Sequence, residues 1–367
     1  MSTNASTEAF SAAIREAAAS GTPLRIAGGG TKDFYGQSLT GTLLGTRGYS
    51  GVVDYEPTEL VITVRCGTPL AEIEAQLAAQ RQMLAFEPPH FGAGATIGGV
   101  VAAGLSGPRR AAQGLYCGSV RDHILGVKLM NGEGEALSFG GTVMKNVAGY
   151  DVSRVLAGSL GTLGLILEVS LKVLPRPAGV RTLLLAMNQE QAIAKLNEWG
   201  GLPVPIGASA WSGEERHGDL WLRLEGAEAA VKSAAARLGG EAVPDDQAAT
   251  YWQGLREQTD AFFAGDTPLW RLSLPATAPA VELPGTQLIE WGGAQRWYKT
   301  DASAAQVRAA ASAAGGHATL FRAGAAGKEG VDVFTPLTPV LTGITRKLKQ
   351  AFDPRGIFNP GRLYREF

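Results

Sequence analysis

Side chains that carry chemistry on their own are scarce in this sequence. Its 367 residues include two cysteines and four histidines. Cys66 and Cys117 have no C-x-x-C spacing and sit in apolar or glycine-rich surroundings, so they read as buried free thiols of a reducing compartment. An iron–sulfur cluster usually takes four thiolates, which this chain cannot supply alone. His90, His123, His217 and His317 are scattered without metal-ligand spacing, so no metal site is expected. Charge of one sign is also missing. Lys and Arg total 33 against 34 Asp and Glu, leaving no global field for nucleic acid or an anionic membrane. The longest run of glycine and apolar residues, Ala95 to Leu105, is broken by Thr96 and falls far short of the ~20 residues that span a bilayer. Met1 to Phe10 has neither the basic nor the apolar region of a secretory leader. The expected location is cytoplasmic, with any membrane association brought by partners. No G-x-G-x-x-G, G-x-x-x-x-G-K-[ST], H-E-x-x-H or G-x-S-x-G occurs, so the nicotinamide Rossmann, P-loop, zinc-protease and hydrolase fingerprints are absent.

Glycine is abundant. Its 49 copies exceed the usual ~7% and follow no period, so a collagen-like chain is excluded. Three clusters stand out: Ile26-Ala27-Gly28-Gly29-Gly30-Thr31, Gly92-Ala93-Gly94-Ala95-Thr96-Ile97-Gly98-Gly99 and Gly158-Ser159-Leu160-Gly161-Thr162-Leu163-Gly164. Glycine bares its backbone N–H and tolerates positive φ, so such loops wrap a diphosphate with main-chain donors. One alone would be a tight turn. Three, with Gly118-Ser119-Val120-Arg121-Asp122 and Val147-Ala148-Gly149-Tyr150-Asp151, point to a large dinucleotide.

The pattern predicts helices over 6–19 and 70–81, the latter with Leu70, Ile73, Leu77 and Gln80 on one stripe. Strands are expected at 24–27, 51–55, 60–65, 123–130, 135–139 and 165–174. Pro175-Arg176-Pro177 marks a domain boundary. Beyond it, strands at 181–186, 220–224, 269–274, 286–290, 296–299 and 318–322 alternate with helices at 189–199, 227–238, 248–263 and 304–314. That texture reads as an α+β domain with a mostly antiparallel sheet. A last helix at 338–352 leads into a tail containing Ile357 and Phe358, expected to pack on the body.

The order of these units resembles the FAD-binding domain of the vanillyl-alcohol oxidase / p-cresol methylhydroxylase flavoprotein family. Within it the chain looks most like the FAD-binding subunits of bacterial glycolate oxidases. The resemblance is carried by 23–31, 95–107, 118–122, 145–151, 158–168 and 358–361. It implies an α+β fold: a two-subdomain FAD-binding domain over 1–177, completed by 336–367, plus an antiparallel cap over 178–335. It implies that Ala27, Gly28, Gly29, Gly30 and Thr31 reach the diphosphate. Thr96, Ile97, Gly98 and Gly99 would pass over the diphosphate and ribityl chain, and Gly104, Leu105 and Ser106 past the flavin ring. Gly118, Ser119, Val120 and Asp122 would line the cofactor, with Asp122 bonding a polar group. Gly158, Gly161, Gly164 and Ile166 would close over the adenosine half.

Family members often attach flavin through a histidine or cysteine in the first two loops. Thr31, Lys32, Ala93 and Ala95 stand there instead, so non-covalent FAD is expected. Catalytic relatives carry His-x-Gly-x-Gly-Asn in the cap. Here Gly316-His317-Ala318-Thr319-Leu320-Phe321-Arg322 keeps only the histidine, leaving His317 and Arg322 as the catalytic candidates. The resemblance implies oxidation of glycolate to glyoxylate within a complex containing a second flavoprotein and an iron–sulfur subunit. A stand-alone 2-hydroxy-acid oxidoreductase and an assembly subunit with structural FAD are the alternatives. The tryptophan-rich cap, Trp199 to Trp297, is the first candidate for the contact face, with a buried core as the alternative for most of those rings.

Overall fold

The computed structural model describes residues 6–113, 118–142, 151–213 and 217–367. Cys117 and most of the 145–151 motif lie outside them.

The chain opens with α1 (Thr7–Ser20), which Ser6 caps by accepting from the Ala9 amide. Strands β1 (Leu24–Ala27) and β2 (Thr42–Gly45) pair in parallel. Then follow β3 (Val52–Glu56), β4 (Val61–Arg65), α2 (Leu70–Ala79), β5 (Gln82–Met83), α3 (Ile97–Ala103), α4 (Val120–His123), β6 (Ile124–Met130), β7 (Ala136–Gly140), β8 (Leu165–Lys172) and β9 (Leu174–Pro175). A five-stranded antiparallel sheet runs β3-β4-β8-β6-β7. Central β8 is almost wholly buried because it is covered on both faces, whereas edge strand β7 alternates. Helices α2 and α3 bury Leu70, Ile73, Leu77, Ile97, Val100 and Val101 against it. Gln80 is exposed at the end of α2 and drops off the expected stripe.

The second half holds β10 (Gly179–Ala186), α5 (Gln189–Gly200), β11 (Ile206–Gly213), β12 (Gly218–Gly226), α6 (Glu228–Leu238), β13 (Glu241–Ala242), α7 (Asp245–Glu257), β14 (Leu269–Ser273), β15 (Thr286–Glu290), β16 (Gln295–Lys299), α8 (Ala304–Ala313) and β17 (His317–Arg322). Its eight strands form one antiparallel sheet in the order β13-β10-β12-β11-β15-β16-β14-β17. Trp199, Trp211, Trp252, Trp270 and Trp297 are buried in the cores beside this sheet. These five tryptophans build the interior, as the buried-core alternative expects, and form no contact face. Among the described residues no helix is long and apolar enough to cross a membrane.

The chain then returns to its first half. In α9 (Pro339–Phe352), buried Lys349 donates to the Thr162 carbonyl at 2.7 Å, to Asp353 at 2.7 Å and to the Phe358 carbonyl at 2.9 Å. Phe358 forms a parallel bridge with Leu24, which extends the β1 edge.

Candidate functional site

Gly28, Gly98, Gly99, Gly161 and Gly164, from all three glycine clusters, line one narrow cleft of about 60 Å³, partly open to solvent. Ile26, Thr46, Cys66, Ile166 and Asn359 complete its wall. Burial pushes the Cys66 thiol up to about 12, so it stays protonated and unreactive. Asn359 ties two of the clusters together: its side chain accepts from the Ile26 amide at 2.8 Å and donates to the Leu160 carbonyl at 2.6 Å.

The glycines divide by what a Cβ would meet. At Gly29 it would lie 1.5 Å from the Gly94 carbonyl oxygen, and at Gly98 2.7 Å from the Cys66 Cβ. Gly28 closes on Thr96 and Gly161 on Asn359. These positions are glycine because protein packs on protein there. Gly99 differs: its Cβ would meet only the Thr96 hydroxyl oxygen, at 3.4 Å, so cleft space lies in front of it.

The main-chain donors divide too. Residues 96–99, expected as a loop, are the capped start of α3. The Ile97 amide donates to the Thr68 carbonyl at 3.0 Å and that of Gly98 to the Cys66 carbonyl at 2.8 Å. In the first cluster, among the described residues, the amides of Gly28, Gly29, Gly30 and Thr31 donate to no protein acceptor. A diphosphate would draw on this first cluster. Small residues, free amides and an open face at Gly99 together fit an extended dinucleotide.

Gly118 to Asp122 lie outside the cleft lining. Asp122 accepts from the Ser119 hydroxyl at 2.7 Å and the Ser119 amide at 2.8 Å, so its carboxylate caps its own helix. The Ser106 hydroxyl accepts from the Val120 amide at 3.1 Å. Gly104, left-handed with a φ of 65°, ends α3, and its amide donates to the Val100 and Val101 carbonyls. Gly158 takes a φ of 86° and donates to the Val101 carbonyl.

Past α3, Leu105 and Ser106 form one wall of a second, small pocket of about 20 Å³. The opposite wall is the cap sheet, with Arg271, Glu290, Gln295 and Trp297. Burial pushes Glu290 up to about 7, against the hydrogen bonds that Trp297 and Gln295 donate to its Oε2 at 2.7 and 3.0 Å. Neither Glu290 nor Arg271 stands in any motif. The faint signal in the sequence is a carboxylate closing the strand Thr286-Gln287-Leu288-Ile289-Glu290.

The two catalytic candidates do not converge. Arg322 lines a third, more open cleft with Thr31 and His90, where it stacks over Phe34 and donates to Gln258. His317 lies exposed at the start of β17 and lines none of these clefts. Partial desolvation of this exposed residue lowers its pKa, and the Arg271 charge adds to that. A broad concavity between residues 188–197 and 277–287 takes no lining from the glycine clusters.

Residues 3–154 match the FAD binding domain family. The chain is 48% identical over 353 residues to the glycolate oxidase subunit GlcE of Escherichia coli (strain K12), covering 96% of each chain. It is 37% identical over 100 residues to the glycolate oxidase subunit GlcD of Bacillus subtilis (strain 168), a match covering 27% of this chain and 20% of that one. A solved alkyldihydroxyacetonephosphate synthase has the same fold, with a TM-score of 0.65 at 17% identity over 96% of this chain and 75% of that one. The chain belongs to the family of FAD-dependent oxidoreductases that includes the glycolate oxidase subunit GlcE.

Proposed function

We propose that this chain is the FAD-binding subunit of a complex that oxidises glycolate to glyoxylate. The observation that carries the reading is near full-length identity to a glycolate oxidase subunit, in a chain whose glycine clusters converge on one cleft. Residues 1–177 with 336–367 form the FAD-binding domain, and 178–335 the cap. Gly28 to Thr31 offer amides to the diphosphate. Gly98 and Gly99 line its path, Gly104 to Ser106 pass the flavin ring, and Gly161, Gly164 and Ile166 hold the adenosine half. Ala27, Thr96, Ile97 and Gly158 shape these segments from behind. No histidine or cysteine stands within the first two loops, so the attachment is non-covalent. Bound flavin would supply the hydride acceptor for an α-carbon; the protein binds and orients the acid and keeps water out.

The partners are a second flavoprotein subunit and an iron–sulfur subunit that takes the electrons onward. The test compares glycolate oxidation with an artificial electron acceptor by the purified flavin-loaded chain and by the reconstituted complex. The isolated chain should turn over far more slowly. Equal rates would replace this reading with a stand-alone enzyme.

A further inference from the structure

We propose that the outward face of α9 seats an α-helix of a partner subunit, one that presents apolar side chains flanked by carboxylates. The proposal rests on the reading above that this chain works within a complex.

The two faces of α9 differ. Inward, Leu348 and Phe352 pack on the core of the five-stranded sheet, and Lys349 is buried against the Thr162 and Phe358 carbonyls. Outward, Val340, Gly343, Ile344, Lys347 and Ala351 follow the spacing of one helical stripe. Val340 is 72% exposed, Ile344 57% and Leu341 beside them 48%. Scattered apolar side chains on a surface need no account, but three within five residues of one helix make a patch.

Gly343 indicates what covers that patch. A Cβ there would meet nothing within 4 Å among the described residues, and its φ is not left-handed. Glycine inside a helix is less favourable than alanine, and no described contact requires it here. It leaves a notch between Val340 and Lys347 into which the ridge of a neighbouring helix can come close.

Charge sets the chemistry of the partner. Residues 333–352 contain no aspartate or glutamate. Lys349 is neutralised by Asp353, whereas exposed Arg346 and Lys347 pair with no carboxylate among the described residues. Carboxylates on the partner would complete those pairs. A second copy of the same face would bring four cations together and no carboxylate. A bilayer would gain little, because the side chains of Val340, Leu341 and Ile344 carry less hydrocarbon than a single myristoyl chain, which alone binds only marginally. Lipid also makes no use of the notch. A partner seated here lies about one helix diameter, ~10 Å, from Thr162 of the third glycine cluster, which Lys349 holds from the inner face.

The test co-expresses the affinity-tagged chain with the second flavoprotein subunit and the iron–sulfur subunit, and measures captured partner by quantitative mass spectrometry. Flavin content and melting temperature are read on the chain alone. Gly343→Leu fills the notch with a better helix former, so melting temperature and flavin content should stay at or above wild type while captured partner falls at least about tenfold. Gly343→Ala, which fills less, should weaken capture less. Ile344→Glu, and Arg346→Glu with Lys347→Glu, should each lower capture by about tenfold with flavin retained. A photo-crosslinker, p-benzoylphenylalanine, placed at position 340 should link to one of the two partner subunits. Capture unchanged in Gly343→Leu and Ile344→Glu overturns the assignment. So does a crosslink to a second copy of this chain, or binding of the chain alone to phosphatidylglycerol vesicles that Ile344→Glu abolishes. If wild type captures neither subunit, the complex reading fails and this inference with it; if wild type and all variants capture equally, the complex reading stands and this inference alone fails.

Discussion

Gly98 and Gly99 are neighbours with opposite tolerances. A valine at 98 would collide with Cys66, so it would damage the protein whether or not a cofactor binds. A valine at 99 meets open cleft. Gly99→Val should therefore leave the apo melting temperature within a few degrees of wild type and reduce flavin retention after gel filtration at least about tenfold. Full retention would remove the cleft as the cofactor site. Glu290 adds a second expectation. Its folded pKa stands above that of an unfolded glutamate, so the folded state keeps a proton that the unfolded state has lost. Its contribution to stability thus falls as pH rises from about 4.5 to about 7 and stays low above that. Glu290→Gln should raise stability at pH 8 by up to about 3 kcal/mol and change little near pH 4.5, as read by urea denaturation at both pH values. The glycines were legible in the sequence because backbone freedom belongs to the residue itself. Glu290 was not, because its protonation depends on Trp297 and Gln295 of the next strand and on burial.

At the scale of elements, local pattern carried most of the chain. The strand at 286–290 has the expected bounds, and helix 189–199 gains one residue, because alternation and capping residues act over a few positions. Among the elements that escaped, two show why. Ile206–Gly213 (β11) is a central strand whose small residues, Gly207, Ala208, Ser209 and Ala210, hide its alternation. Helix α3 reads as a loop because Gly98 and Gly99 occupy its first turn; the Thr96 cap and packing on the five-stranded sheet hold it. The C-terminal segment shows the same dependence on distant contacts. Asn359 bridges the first and third glycine clusters, and Lys349 with Asp353 anchors the turn before it. Asn359→Ala leaves the Ile26 amide and the Leu160 carbonyl without these partners. It should lower stability by about 1–3 kcal/mol and speed flavin loss in proportion. Unchanged flavin dissociation, followed by fluorescence recovery on dilution, would show that the bridge does not shape the cleft.

At the scale of the whole molecule, the two halves are clamped by buried charge. Glu87 and Arg109 come from the first half, Arg223 and Glu225 from β12. Arg223 holds Glu87 through two bonds at 3.1 and 2.9 Å, and Arg109 holds Glu225 through two at 2.8 and 2.9 Å. Glu87 takes a φ of 50°, a left-handed conformation rare for glutamate, which the paired guanidiniums help maintain. Nothing local in the sequence announces this clamp, since each pair joins residues more than a hundred positions apart. Desolvation alone would raise Glu87, but Arg109 and Arg223 overcome it and hold the carboxyl down at about 2. Because that folded pKa lies below the unfolded one, the clamp's stability is fully present above about pH 4.5 and is lost as pH falls toward 2. Removing one partner strands a buried charge, which costs about 3–5 kcal/mol. Arg223→Met should therefore destabilise the protein by that order and split a single thermal transition into two, the cap separating from the FAD-binding half. One cooperative transition in Arg223→Met would show instead that the two halves fold as a single unit.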